Sequence, residues 1–228
     1  MVKQTFDAFW TDLAAVRVNN APVPYWYCGC GEEQAELYRL GGLAEGPIAE
    51  LGTYTGVGAA LLAGGGDQTV YTIDPSLPGW DRGNNITLTD HHGRCQTERS
   101  IETAQALWQA LDLTDRINWV EASCYDEEAL SAAPDALGLL FVDAEHQVPH
   151  LTKQLALWAP RVAPGGYLVL HDWGLPGDER QVGTWDVAGV AGKWVAEHGG
   201  ADEWRGPVVV STVAWYRRKP LAEEVVEE

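Results

Sequence analysis

The sequence is poor in basic residues, with 15 Lys and Arg against 33 Asp and Glu and a formal net charge of −18. A surface of this charge repels a nucleic-acid backbone, and no basic cluster offsets that repulsion. The sequence also lacks an apolar run near the roughly 18 residues that a membrane-spanning helix needs. We therefore expect neither a nucleic-acid partner nor a membrane partner.

The N-terminus lacks the basic start and apolar stretch of a signal peptide, so we expect a cytoplasmic protein. Cysteine is also scarce, and the four cysteines are Cys28, Cys30, Cys95 and Cys124. A chain of 228 residues can bury an ample core without disulfides, so we expect four reduced thiols. The alternative is a zinc site formed by Cys28, Cys30, Cys95 and either His91 or His92, although C-x-C is not a usual zinc spacing.

Strand-like and helix-like patterns alternate from residue 47 onward. Apolar stretches predict five strands, at 47–51, 69–73, 117–121, 137–142 and 166–170. Helical patterns lie between these stretches, and one more helix is predicted at 183–197. The alternation is typical of a parallel sheet covered by helices. We predict an α/β fold, a doubly wound and mostly parallel sheet with helices on both faces and a short helical N-terminal extension.

Three segments follow from this pattern. Residues 1–44 are predicted to be the helical extension, packing on the core and offering a contact for a homodimer. Residues 45–218 form the α/β domain, and residues 219–228 form an acidic tail. The connection from Asp74 to the helix predicted near residue 101 is too long for a simple turn, and we expect a binding loop there.

The stretch "IAELGTYTG" (48–56) carries the first functional signal. An apolar strand runs into a turn that contains Gly52 and Gly56, and glycine there lets the backbone approach a ligand closely. The next strand ends in Asp74, at about the twenty-residue spacing of a carboxylate that binds ribose hydroxyls. The glycine spacing is not the G-x-G-x-x-G that a nicotinamide-dependent oxidoreductase would carry.

Two further strands end in an acid and a histidine. "FVDAEH" ends one strand with Asp143 and His146, and "YLVLHDW" ends the next with His171 and Asp172. Ligands of a doubly wound sheet bind outside the carboxyl ends of its strands. If these strands are neighbours, the four side chains converge on one cleft.

Together these motifs resemble the class I S-adenosylmethionine-dependent methyltransferases, whose fold is Rossmann-like. The resemblance rests on E-x-G-x-x-x-G from Glu50, the acid that ends the second strand, and "APGGYLVLHDW", and it spans about residues 45 to 175. "FVDAEH" followed by "LTKQLALWAPRVAPGGYLVLHDW" is similar to the macrolide-sugar and aminocoumarin-sugar O-methyltransferases. The cephalosporin hydroxylase-like proteins share much of this pattern.

The resemblance implies S-adenosyl-L-methionine as the cofactor. The implied contacts are Glu50, Gly52, Thr53, Tyr54, Gly56, Asp74, Ala122, Ser123 and Asp143. The first glycine turn would line the methionine end of the cofactor, and Asp74 would bind its ribose. The segment "EASCYD" after the third strand would contact the adenine through Ala122 and Ser123.

The resemblance also implies methylation of a hydroxyl, with His146 as the general base and with Asp143 and His171 beside it. Imidazole alone is too weak a base to remove the proton of an alcohol. A divalent cation bound to the oxygen would make that proton easier to remove. The implied ligands are Asp143, Asp172 and His171, for Mg²⁺ or Mn²⁺. His171 stands where the relatives carry an acid, and imidazole favours Mn²⁺ or Zn²⁺ over Mg²⁺. Alternatively, His171 contacts the acceptor, or it is a second base in a site without metal.

The acceptor is predicted from the aromatic residues near the cleft. Trp80, His91 and Trp173 are the predicted acceptor contacts, and Trp185 lies in a segment that should also rim the cleft. Flat aromatic faces suit a sugar ring or a planar phenol, and the negative charge disfavours anionic acceptors. We expect a neutral glycoside hydroxyl, with a catechol-type phenol as the alternative. A nicotinamide-dependent oxidoreductase is the alternative of another reaction class.

Overall fold

The computed structural model describes residues 4–18, 20–23, 31–75, 85–89, 95–174 and 185–220, and at 85–89 and 95–100 it describes the backbone. Within these ranges the helices are α1 (Phe6–Ala15), α2 (Gly31–Leu43), α3 (Val57–Gly65), α4 (Ser100–Ala110), α5 (Glu127–Ala132), α6 (Val148–Trp158), α7 (Val187–Glu197) and α8 (Gly200–Glu203). None of these helices is long and apolar enough to cross a membrane.

The strands of the described residues are β1 (Arg17–Val18), β2 (Ala21–Pro22), β3 (Ile48–Leu51), β4 (Val70–Ile73), β5 (Asn85–Thr89), β6 (Cys95–Arg99), β7 (Ile117–Val120), β8 (Leu137–Val142), β9 (Val162–Leu170), β10 (Trp204–Val210) and β11 (Val213–Arg218). Seven of them form one sheet in the order β10-β11-β9-β8-β3-β4-β7. Strands β7, β4, β3, β8 and β9 are parallel, while β11 is antiparallel to both β9 and β10. The predicted doubly wound, mostly parallel sheet is confirmed.

The chain reverses its direction of travel across the sheet between β3 and β8. From β3 it proceeds outward to β4 and β7, and it then returns to β8 on the other side of β3 and proceeds to β9. This reversal is the switch point at which such sheets open a crevice for ligands. The predicted cofactor turn follows β3, and Asp143 follows β8. These are the two strands that border the crevice.

Apolar side chains cover the central strands on both faces, which is why β3 and β8 are buried along their whole length. Alternate residues of β8 point to opposite faces: Phe141 packs in one core cluster, and Val142 packs in the other. Helices α2, α3 and α4 contribute to the first cluster, and α5, α6 and α7 contribute to the second.

Helix α2 contacts α3 so closely that the two backbones nearly touch. A Cβ atom added to Gly41 would overlap the carbonyl of Leu62, and one added to Gly65 would overlap the carbonyl of Tyr38. The buried Glu33 accepts a 2.6 Å hydrogen bond from the backbone N–H of Thr212, in the β10–β11 turn. Helix α2 is therefore joined to α3 by close packing and to the β10–β11 turn by a hydrogen bond.

Two parts of the chain differ from the sequence-based expectation. The connection after Asp74, which we predicted to be a loop, contains the antiparallel pair β5–β6. Its strand sequences, "NITLT" and "CQTER", have too few apolar residues to give a strand signal. Helix α7 begins at Val187 and not at 183, because Asp186 caps it by accepting a 2.8 Å hydrogen bond from the N–H of Gly189.

Candidate active site

Backbone hydrogen bonds continue the sheet beyond the strand ends and bring the predicted site residues together. The N–H of Asp143 donates to the carbonyl of Leu51 at 2.9 Å, and the N–H of His171 donates to the carbonyl of Val142 at 3.1 Å. The ends of β3, β8 and β9 are thus held side by side, so the two strands that end in an acid and a histidine are neighbours. The residues that follow these strands share one edge of the sheet.

The turn between β3 and α3 has the backbone of a close-approach site. Gly52, Tyr54 and Gly56 all have positive φ, at 95°, 43° and 75°. A Cβ atom at Gly52 would lie 2.5 Å from the carbonyl oxygen of Asp143, so only glycine fits there. Gly56 is the N-cap of α3, whose first N–H groups face the turn. The turn therefore fits the close approach of a ligand, as a cofactor there requires.

A buried hydrogen-bond chain supports this turn. Thr72 donates from Oγ1 to Glu50 Oε2 at 2.6 Å, and the Oγ1 atoms of Thr72 and Thr53 lie 2.7 Å apart. Thr53 N–H donates to Asp74 Oδ2 at 3.1 Å, which joins the turn to the end of β4. Burial raises the pKa of Glu50 well above its ordinary value, the Thr72 hydrogen bond opposes this, and the charges of Asp143 and Asp74 add to it. Burial therefore favours the protonated form of Glu50.

The predicted adenine contacts lie at the same edge of the sheet. Strand β7 pairs with β4, and the N–H of Asp74 donates to the carbonyl of Val120 at 3.1 Å. Ala122 is buried just beyond this bond. The N–H of Ser123 donates to Asp126 Oδ2 at 3.1 Å, which fixes the turn that leads into α5. Ala122 and Ser123 are thus placed beside Asp74, and their contact with adenine stays a prediction.

His171 lies between two carboxylates. Its Nδ1 atom is 3.0 Å from Asp143 Oδ1 and 3.1 Å from Asp172 Oδ1. Burial lowers the pKa of His171, but the charge of Asp143 and the hydrogen bonds to both aspartates outweigh it and raise the pKa to about 11. Burial likewise raises the pKa of Asp172, and the His171 hydrogen bond outweighs this and lowers it. Asp172 has a positive φ of 56°, a strained value for a non-glycine residue.

His146 is buried in the same cluster, with different contacts. Its Nε2 lies 3.6 Å from Asp143 Oδ1 and its Nδ1 lies 3.6 Å from Asp172 Oδ2, both longer than hydrogen bonds. Nε2 has no hydrogen-bond partner among the described residues. The indole of Trp185 stacks on the imidazole, with the ring centroids 4.9 Å apart and the planes 22° apart. The sequence placed Trp185 near the cleft but gave no signal for this contact.

The donor atoms of Asp143, His146 and His171 all lie within 4.8 Å of one another, a spacing that suits a metal ion. Two of the three side chains are imidazoles, and His171 also has a buried Nε2 without a hydrogen-bond partner in the described chain. The predicted ligand Asp172 borders this group through His171. The donor set therefore fits a divalent cation, although it is richer in nitrogen than a Mg²⁺ site requires.

The predicted acceptor contacts are only partly within the described residues. Trp80, His91 and the alternative zinc ligands Cys28 and Cys30 lie outside them. The half-buried Trp173 packs its ring against Tyr216, with centroids 6.1 Å apart. This packing partner on β11 was not predicted, and a contact of Trp173 with the acceptor stays a prediction.

A second group of polar residues adjoins the site on the side of α6. His150 Nδ1 lies 2.6 Å from Glu145 Oε2, and the Tyr125 hydroxyl is 3.4 Å from the same oxygen. Gln154 Nε2 donates to that hydroxyl at 3.2 Å. These bonds join the segment after β7 to the segment after β8, so they support the two sides of the site.

Comparison with known proteins agrees with this geometry. A family model described as a methyltransferase domain matches residues 49–173, more than half of the chain. No curated protein matches the sequence. This family match also rules against the nicotinamide-dependent oxidoreductase.

Solved structures share the fold at low sequence identity. The O-methyltransferase NovP is 15% identical with a TM-score of 0.55, over 82% of this chain and 80% of its own. A Podospora anserina methyltransferase, PaMTH1, bound to S-adenosylhomocysteine (SAH), is 15% identical with a TM-score of 0.56, over 86% and 82%. The mycinamycin-pathway methyltransferase MycE, in complex with Mg and SAH, is 17% identical with a TM-score of 0.50, over 83% of this chain and 49% of its own. The chain belongs to the class I S-adenosylmethionine-dependent methyltransferases.

Proposed function

We propose that the protein transfers a methyl group from S-adenosylmethionine to a hydroxyl oxygen of a small, neutral, sugar-containing acceptor. The observation that carries this proposal is the cluster of His146, Asp143 and His171, which adjoins the glycine turn at the switch point. A methyl acceptor bound there would have acid–base groups on one side and the methyl donor on the other. The solved structures that share the fold include proteins named O-methyltransferases.

His146 is the residue best suited to take the proton of the hydroxyl. Its nitrogens make no hydrogen bond to the neighbouring aspartates, whereas Nδ1 of His171 lies within hydrogen-bond distance of both. The stacked Trp185 fixes the plane of the His146 ring. A fixed base within reach of the substrate proton typically contributes about a hundredfold or more in rate.

A divalent cation, Mg²⁺ or Mn²⁺, would be held by Asp143, Asp172 and His171. When bound, it would supply positive charge beside the acceptor oxygen and help to align it. Support comes from the donor atoms of Asp143 and His171, which lie with those of His146 within 4.8 Å of one another, and from the contact of Asp172 with His171 at 3.1 Å. Asp143 also donates its backbone N–H to the end of β3, so its carboxylate is held beside the cofactor turn.

The neutral glycoside is favoured over an anionic acceptor by the charge of the protein, −18 overall. MycE, named for a mycinamycin biosynthetic pathway, shares the fold over 83% of this chain. A catechol-type phenol is the second candidate. It would bind in the same cleft, because planar rings also stack on aromatic faces.

The test has two stages. Calorimetry with S-adenosylmethionine and SAH should show micromolar binding, and NAD(H) should give no heat. Methyl transfer from labelled S-adenosylmethionine is then measured with panels of neutral glycosides and of catechols. If the folded protein bound neither S-adenosylmethionine nor SAH, the proposal would be refuted. Turnover confined to the catechols would refute the sugar acceptor and retain the O-methyl transfer.

A further inference from the structure

We infer that Glu33, on the N-terminal helix α2, is a positioning residue for the acceptor side of the site. Glu33 is far from Asp172 and Trp173 in the sequence, but a short series of hydrogen bonds connects them through the β10–β11 turn. Asp172 and Trp173 belong to the proposed acceptor side, so this role of Glu33 rests on the proposed function. It adds a residue that lies outside the cleft and determines the position of Trp173 within it.

Glu33 bonds to the β10–β11 turn at two points. One oxygen of its side chain, Oε1, accepts a 2.6 Å hydrogen bond from the backbone N–H of Thr212 and a second bond from the hydroxyl of the same residue. Glu33 is only 1% exposed, so little water competes for these bonds. Removing one partner of a buried hydrogen bond leaves the other without a partner, which is costly. Helix α2 therefore holds Thr212 in place.

The carbonyl of Thr212 in turn holds the segment that follows β9. It accepts a 2.7 Å hydrogen bond from the backbone N–H of Trp173, while the N–H of His171 is bonded to the end of β8. Asp172 lies between these two bonds with a φ of 56°, a conformation that a non-glycine residue keeps only where its surroundings impose it. The second of the two bonds depends on Thr212, and through Thr212 on Glu33.

The regular pairing of the sheet does not reach Trp173. The ladder between β9 and β11 ends where Leu170 pairs with Ala214, and the bond from Trp173 to Thr212 lies beyond that pair. The indole of Trp173 packs against Tyr216, which holds the ring but not the backbone. The turn therefore determines where the backbone of Trp173 lies, and the turn is supported from α2.

A second buried acid on α2 provides the matched comparison. Glu36 accepts a 2.7 Å hydrogen bond from the indole N–H of Trp215 and pairs with Arg39. Trp215 lies within β11, where that strand pairs with β9, so this bond joins α2 to the sheet without involving the β10–β11 turn. Loss of either acid should destabilise the fold, but only loss of Glu33 should release Trp173.

Amide hydrogen exchange, measured by NMR on the full chain without acceptor, tests this connection. The N–H of Trp173 should be protected in the parent protein, and in Glu33→Leu it should exchange about tenfold or more faster than in Glu36→Leu. Glu33→Gln keeps an oxygen that can accept both bonds, so exchange should stay within about threefold of the parent rate. An unprotected Trp173 N–H in the parent protein, or equal rates in the two leucine variants, would overturn the role of Glu33.

Thr212→Val provides a second variant in case Glu33→Leu does not fold. It removes the hydroxyl bond to Glu33 and keeps the backbone bonds, so the exchange of the Trp173 N–H should become about threefold faster. An unchanged rate in Thr212→Val would also count against the connection.

Methyl transfer to an acceptor from the glycoside or catechol panel measures the consequence for the site. Glu33→Leu should raise the acceptor KM about tenfold, because Trp173 is displaced, while Glu36→Leu keeps the parent KM. SAH affinity should stay within about threefold of the parent value in both variants. An unchanged KM in Glu33→Leu despite faster exchange would overturn the role in acceptor binding. If no member of either panel is methylated, the proposed acceptor fails, and hydrogen exchange still decides whether Glu33 positions Trp173.

Discussion

The two sides of the switch point shift the pKa values of their acids in opposite directions. On the cofactor side, Glu50 is surrounded by apolar groups and hydroxyls, and burial raises its pKa well above the ordinary value. On the other side, the His171 hydrogen bond lowers the pKa of Asp172 despite burial. Burial thus favours the protonated acid where the partner is a hydroxyl, and a histidine partner favours the charged acid.

The difference suits what each side has to bind. The cofactor side presents a glycine turn, the N–H groups at the start of α3, the buried Glu50 and, at the end of β4, Asp74. The acceptor side keeps a dense set of titratable groups that can move protons or hold an ion. Binding on the first side should therefore be sensitive to backbone shape, and turnover on the second side should be sensitive to single side chains.

The largest expected effect is on the acceptor side. His146→Ala should reduce turnover by about a hundredfold or more, because the general base is lost. SAH affinity, measured by calorimetry, should change little, because His146 is outside the glycine turn. His198→Ala is the matched control, since that histidine is exposed at the C-cap of α7 and takes no part in the cluster. Unchanged turnover of His146→Ala at saturating acceptor would show that another residue takes the proton.

On the cofactor side a smaller effect is expected. Asp74→Ala removes the acceptor of the Thr53 N–H and the predicted ribose contact. The loss of charge-assisted hydrogen bonds should weaken SAH binding by about 1 to 2 kcal/mol, or about 5- to 30-fold.

Asp135→Ala is the control for this change, because Asp135 is exposed and bonds to Arg161 away from the cofactor turn. Calorimetry of both variants gives the comparison. Equal SAH affinity of Asp74→Ala and the parent protein would contradict the ribose role.

The third expected effect is on stability, not on turnover or binding, and it concerns the buried Glu50. The pKa of Glu50 is raised in the folded state, so the folded protein keeps a proton that the unfolded chain releases above pH 4.5, the ordinary value. The parent protein should therefore lose stability relative to Glu50→Gln as the pH rises from 4.5 towards the folded pKa, by at most about 1.4 kcal/mol per pH unit.

Urea unfolding of both proteins between pH 4.5 and pH 8 measures this difference. Glu45→Gln, at an exposed position five residues earlier, should show no such trend. A constant difference between Glu50→Gln and the parent protein across the pH range would mean that folding leaves the Glu50 pKa unchanged.

The sequence predicted the central sheet, and it predicted that Asp143, His146, His171 and Asp172 would meet if their two strands were neighbours, as β8 and β9 are. Apolar runs identify buried parallel strands, and the residues that follow neighbouring parallel strands must share an edge. No knowledge of side-chain packing is needed for that inference. The family resemblance was confirmed by the match of the methyltransferase domain.

The parts that the sequence did not predict depend on tertiary contacts or on weak patterns. Trp185 stacks on His146 because residue 185 forms a β-bridge with Gln147, a pairing that neither segment signals alone. Trp173 has a packing partner on β11 that is far away in sequence. The β5–β6 pair lacks the apolar alternation of a half-buried strand.

The glycine contact between α2 and α3 determines where the protein can be shortened. Helix α3 starts at the end of the cofactor turn, and its other face is in backbone contact with α2 through Gly41 and Gly65. An expression fragment that starts at residue 45 would keep every predicted cofactor residue and would still lack the partner of α3. The smallest piece of the chain that keeps the turn in place therefore includes α2, and library mutagenesis should recover almost nothing but glycine at Gly41 and Gly65.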